Sequence, residues 1–223
     1  MRLKFQIGFS LTVLVSGMVL APRNAQAVII ETFSDVEFQD NDGDGVFENI
    51  DTTDATLGTR SFPGFAGAPT NTSVMFFDVT PIAGVALDSA ELALQLQGFT
   101  SSTQAIDIGG YIDDGAITPL DRIIPTVTLG TFTPGNFNLG TIFVPLDEDV
   151  LETLAVGGGP IGLRFNATGI ANFQVASREG TTLAPTLSVV PTAVPEPTSL
   201  ALLTALATLT VARHHRRRQR TTP

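Results

Sequence analysis

The sequence predicts an all-β domain, an antiparallel β-sandwich of jelly-roll type, and three observations carry that reading. Apolar side chains recur with a period of two in short runs, clearest in Glu91-Leu92-Ala93-Leu94-Gln95-Leu96-Gln97. Clusters of Gly, Pro, Asn and Asp, the residues that supply turn geometry, separate the runs, drawn from 21 glycines and 14 prolines. No long helical periodicity lies between successive strands, which excludes a parallel sheet with crossover helices.

Taken in order, Val28-Ile29-Ile30 opens the strand series, and Val74-Met75-Phe76-Phe77-Asp78-Val79 follows as a β-branched and aromatic run ending at Thr80-Pro81. The alternating 91–97 segment is next. Ala105-Ile106-Asp107-Ile108 alternates too, and Tyr111-Ile112 continues it past Gly109-Gly110, where a bulge is expected. Thr141-Ile142-Phe143-Val144, Ile161–Phe165, Ala171–Ala176 and Thr186–Val190 complete the set. A single helix is predicted: Asp147 caps it, Val150, Leu151 and Leu154 share one face, and Gly157-Gly158-Gly159 ends it. The sandwich spans residues 28–190.

Both ends read as addressing segments. Arg2 and Lys4, an apolar stretch from Phe5 to Val19, and the small-residue exit Ala25-Gln26-Ala27 make residues 1–27 a predicted secretory signal peptide, cleaved before Val28. At the other end a linker, residues 191–197, carries Pro195-Glu196-Pro197, which the prolines keep extended. Residues 198–212 form a charge-free apolar run that predicts a transmembrane helix. Its 15 residues fall short of the roughly 20 that span a bilayer core, a gap that snorkelling and local thinning close. In the basic tail, residues 213–223, Arg213, Arg216, Arg217, Arg218 and Arg220 hold the far end on the cytoplasmic side.

This order of motif, apolar run and arginine cluster over residues 195–223 resembles the PEP-CTERM sorting signal of Gram-negative bacteria. The resemblance implies passage through the Sec machinery, insertion of residues 198–212 in the membrane, and recognition by an exosortase. Cleavage near the motif would then deliver the domain to the cell surface or the extracellular space. The alternative is a plain C-terminal anchor that is never cleaved.

Charge narrows the partners. All 22 acidic residues lie between Glu31 and Glu196, together with only Arg60, Arg122, Arg164 and Arg178, so that stretch carries a formal charge of −18. Such a surface repels phosphate backbones, so nucleic acid is excluded as a partner, and it attracts divalent cations. Cysteine is absent, so an exported domain gains nothing from disulfides.

The acidic residues concentrate in Asp40-Asn41-Asp42-Gly43-Asp44-Gly45-Val46-Phe47-Glu48-Asn49-Ile50-Asp51. Asp40, Asp42 and Asp44 stand at positions 1, 3 and 5 of a calcium loop, Gly45 permits the turn at 6, Val46 offers a carbonyl at 7, and Asp51 takes position 12. Hard oxygen donors at this spacing suit Ca²⁺ better than a transition metal. Without flanking helices, affinity is expected on the order of 10⁻⁴–10⁻³ M. The alternative is an acidic solvated turn. Asp113-Asp114 and Asp147-Glu148-Asp149 read as turn and cap residues.

A second resemblance covers the middle of the chain. Ser73-Val74-Met75-Phe76-Phe77-Asp78-Val79-Thr80, then Asp88-Ser89-Ala90-Glu91-Leu92-Ala93-Leu94, Ile161–Phe165, Ser177-Arg178-Glu179 and Ala184-Pro185-Thr186-Leu187 are similar to a DNRLRE-type β-sandwich. Ser73 stands where that family often has an arginine. The family is similar to carbohydrate-binding modules, so polysaccharide binding is an implication of the resemblance. The residues themselves offer little aromatic platform: no Trp, one Tyr, and Phe62, Phe65, Phe132 and Phe137 in loops, where such rings more often plug a core.

Catalytic constellations are lacking. The two histidines, His214 and His215, sit in the basic tail, no cysteine nucleophile exists, and no Gly-x-Ser-x-Gly elbow occurs. Carboxylates abound, but no pair is singled out for glycoside hydrolysis. Arg178-Glu179 reads as a structural ion pair. The expected function is that of an exported, non-catalytic cell-surface or matrix protein whose sandwich is supported by calcium. The alternative is a module that attaches to the cell's own exopolysaccharide, and a hydrolase is a third, remote reading.

Overall fold

Period-two runs bounded by turn residues fold as antiparallel strands, and every strand pair among the described residues is antiparallel. The computed structural model describes residues 26–44, 46–61, 68, 70–100, 104–167, 169–180 and 183–193. In chain order the elements are β1 (Val28–Asp40), β2 (Asn49–Asp51), β3 (Thr56–Ser61), β4 (Thr70–Asp78), β5 (Leu87–Thr100), β6 (Ile106–Ile112), β7 (Val127–Phe132), β8 (Gly140–Leu146), α1 (Glu148–Ala155), β9 (Pro160–Ala167), β10 (Ala171–Ala176) and β11 (Thr186–Pro191). Ala25, Pro195, Glu196, Pro197, the 198–212 run and the tail arginines lie outside the described residues, as does nearly all of 1–27. Among the described residues no helix is long and apolar enough to cross a membrane.

The ladder closes on itself. β1 pairs with β11, β11 with β5, β5 with β10, β10 with β3, β3 with β4, and β4 again with β1. β9, β6 and β7 extend from β4, β8 adds to β5, and β2 adds to β1. The all-β expectation holds, and the centre is a closed barrel with extra strands. Two long strands cause this by changing partners midway. β1 faces β11 through Val28–Glu31 and β4 from Thr32 onward, with a register shift between Thr32 and Ser34. β5 faces β11 through Leu87–Ala93 and β10 from Leu96 to Thr100. A bulge of this kind bends a strand and carries its hydrogen bonds around a corner.

Alternation divides the apolar residues of β4 between two cores. Met75 and Phe77 enter the main one, with Leu92, Leu94 and Leu96 of β5 and the edge-to-face rings of Phe132, Phe165 and Phe173. Phe132 is buried and Phe137 packs beside it, as the plug reading expects, while Phe62 and Phe65 lie outside the described residues. Val74 and Phe76 enter a smaller cluster with Val36, Phe38 and Tyr111. Loop residues Phe47, Ile117 and Ile124 cover that cluster, so the acidic loop is seated on a core of its own. Tyr111 stands opposite Gly162, where a Cβ would lie 2.2 Å from the ring.

The helix forms as read: Val150 N–H donates to Asp147 Oδ1 at 3.0 Å, and Leu151 and Leu154 are buried. The expected bulge is present as a register shift between Ile108 and Gly109. β2, β3 and β7 were not expected. Nor was the length of β1, whose period breaks at Phe33.

Candidate metal centre

The end of β1 and the start of β4 fix the acidic loop. Asp40 pairs in register with Thr70, is 1% exposed, and accepts a hydrogen bond from the Thr70 hydroxyl at 3.3 Å. Its Oδ1 accepts Gly43 N–H at 2.6 Å. Gly43 has φ +71°, and a Cβ there would lie 2.4 Å from the Ala68 carbonyl, so the curl demands glycine. Asp42 Oδ1 accepts Asp44 N–H at 3.2 Å, Asp44 Oδ1 accepts Val46 N–H at 2.7 Å, and Glu48 Oε2 accepts Asn41 N–H at 2.7 Å.

These bonds gather the carboxylates. One oxygen each from Asp40, Asp42, Asp44 and Glu48 lies within 4.8 Å of all the others. Four hard, anionic donors in that space could hold a metal ion. Gly45 lies outside the described residues; Val46 is 62% exposed beside the cluster.

Asp51 departs from the expectation. It sits on β2 opposite Glu37, and its Oδ1 accepts Thr53 N–H at 2.9 Å, Thr53 Oγ1 at 3.1 Å and Asp54 N–H at 3.2 Å. These bonds, led by the Thr53 N–H, lower its pKa. Asp51 therefore caps its own turn, and Glu48, three residues earlier, completes the cluster. The sequence signal for Glu48 was its place at position 9 of the loop, which is also a ligand position.

No protein-family model and no curated protein matches the chain.

Two further residues shape the centre. The Arg122 guanidinium lies over the Phe47 ring, its carbon 3.2 Å from the centroid; burial lowers its pKa, and the Asp40 charge offsets part of that. Arg122 comes from the 3₁₀ turn Pro119–Arg122, which a Thr118–Asp121 capping box starts. Asp113 and Asp114 each accept a backbone N–H two residues on, as turn residues do.

Other buried carboxylates belong to the scaffold. Asp35 is 2% exposed, accepts Arg178 N–H at 2.7 Å, and is pushed up to about 7 by burial, with the Glu179 carboxylate adding to the rise. Burial also raises Glu37, which accepts Gly58 N–H and Asn71 Nδ2 at 2.5 Å each. The Arg178–Glu179 pair is present at 4.0 Å but exposed, and such pairs contribute little. Arg178 is instead anchored by Nη1 donating to the Phe33 carbonyl at 2.6 Å.

Proposed function

We propose that this chain is an exported, non-catalytic surface or matrix protein whose β domain, of jelly-roll kind, is stiffened by calcium at the Asp40–Glu48 loop. The observation that supports the reading is the convergence of Asp40, Asp42, Asp44 and Glu48 within 4.8 Å. Four like charges held that close repel one another, and a divalent cation relieves the repulsion while joining the loop to β1. The signal segment at 1–27 and the sorting tail at 195–223 support the exported, surface-sorted half of the proposal, with the Sec machinery, an exosortase and the membrane as partners.

Thermal melting of the purified chain tests the metal half. With a dissociation constant near 1 mM, 10 mM Ca²⁺ stabilises by about 1.4 kcal/mol, which is roughly 3–6 °C for a domain of this size. An unchanged melting temperature, or the same rise after Asp42→Ala plus Asp44→Ala, rejects it. For the sorting half, mass spectrometry of surface-localised protein should find Val28 as the first residue and the C-terminus near Pro195–Pro197. Full-length protein retained in the cytoplasm rejects that.

A further inference from the structure

β8 ends one side of the ladder. Among the described residues it pairs with β5 and with no other strand. Ile142, Val144 and Leu146 turn inward and are buried, while Thr141, Phe143 and Pro145 turn outward and are exposed. On β5, Gln95 stands opposite Thr141, Ala93 opposite Phe143 and Glu91 opposite Pro145. Ala93 in turn faces Thr186 of β11. Phe143, Ala93 and Thr186 thus form one outward row over three strands, with a ring 57% exposed beside a half-buried methyl group.

The charge pattern selects the occupant of this face. Residues 123–146 hold no charged side chain, in a domain whose stretch from Glu31 to Glu196 carries −18. Two copies of such a domain repel wherever their carboxylates meet, so an uncharged strip is where they approach at least cost. Exposed edge strands are ordinarily guarded against a second copy by lysine or other charge. β8 has neither, and Pro145 is its single guard. The shape is self-complementary as well. A two-fold axis through the face carries each Phe143 ring onto the Ala93 recess of the other copy, so one projection and one recess match twice.

We propose that two copies of this chain associate through the outer β8–β5 face, with Phe143 of each copy seated over Ala93 and Thr186 of the other. The row is short, and it is bounded by Glu91 and by Glu31, which pairs with Thr186. The contact is therefore weak and forms where chains are crowded. It uses none of the four clustered carboxylates, so it stands or falls apart from the calcium reading.

The chain has no cysteine, so a single introduced one reports the contact. Thr141→Cys in the full-length chain, with detergent micelles in excess over protein and EDTA present, is treated with a short bis-maleimide. Cross-linked dimer should form at about 200 μM chain and be at least tenfold scarcer at about 5 μM, as suits a contact below standard size. Phe143→Glu in that background should abolish the dimer with the melting temperature unchanged. Ala93→Gln, which fills the recess without adding charge, should reduce it at least tenfold. Glu91→Gln should strengthen it severalfold, and so should added salt, which screens the repulsion between acidic domains. If Phe143→Glu lowers the melting temperature, the gain from Glu91→Gln decides. Ile50→Cys is the control, exposed on β2 and separated from β8 by β1, β11 and β5, and should yield no dimer. No dimer from Thr141→Cys, equal dimer from Ile50→Cys, or dimer that survives Phe143→Glu overturns the proposal. A chain without dimer whose Phe143 ring shows NMR contacts to detergent assigns the face to a lipid surface and overturns it equally.

Discussion

Arg122 rests on the face of Phe47 with 3.2 Å between guanidinium carbon and ring centroid, pinning the acidic loop to the 3₁₀ turn. The same cation feels the charge of Asp40. It thus anchors the loop and opposes a second cation there. Arg122→Gln is expected to destabilise the metal-free protein by about 0.5–2 kcal/mol through loss of the ring contact. Calcium affinity should rise severalfold, because a like charge has been removed from the site. Melting curves at graded calcium concentrations measure both effects.

Glu48 and Asp51 separate the structural reading of the loop from the sequence template. Glu48→Gln should shrink the calcium-induced rise in melting temperature to less than half. Asp51→Asn should leave that rise intact and lower baseline stability slightly, since among the described residues the Asp51 carboxylate binds Thr53 and Asp54. A reversed pattern would place the twelfth loop position back in the metal shell.

Asp35 gives a pH signature. Its carboxyl titrates near 7 folded against 3.8 unfolded, so the native state holds the extra proton between those values. Stability from this group is therefore intact below about pH 4 and falls as pH climbs to 7, by on the order of 2–4 kcal/mol. Asp35→Asn keeps the acceptor for Arg178 N–H and removes the titration. The difference between wild-type and variant urea midpoints should grow from pH 4 to pH 7 in favour of the variant. A constant difference across that window rejects the assignment.

Phe173 meets Phe132 at 5.5 Å and Phe165 at 5.7 Å, centroid to centroid, with no exposed surface to speak of. Phe173→Ala should cost about 3–5 kcal/mol by urea denaturation. Phe143, 57% exposed on edge strand β8, is the control: Phe143→Ala should stay within about 0.5 kcal/mol.

How far the sequence revealed the fold depended on whether each element signalled by itself. Glu91–Gln97 alternates cleanly and Asp147 begins a capped helix, so β5 and α1 were legible locally. Thr56–Ser61 has one apolar side chain, Leu57, and is a strand because β10 pairs with all six of its residues. β1 was read as three residues because its bulge at Phe33 shifts the period and because Asp35 and Glu37 are buried polar groups. Asp40, Asp42 and Asp44 were legible as a convergent set, since alternate residues of a tight curl face inward. Glu48 was missed because a twelve-residue template points to Asp51, and β2 draws Asp51 away.

The barrel seam has a consequence for how the molecule is made. Its opening strand finds a neighbour in its closing one, Val28 beside Val189, and the ring cannot be completed until the final segment arrives. A partly delivered chain therefore stays open, with β5 lacking the partner that occupies its Leu87–Ala93 edge. Contacts this remote in sequence form late and slowly, so the ring stays incomplete until β11 has taken its place between β1 and β5.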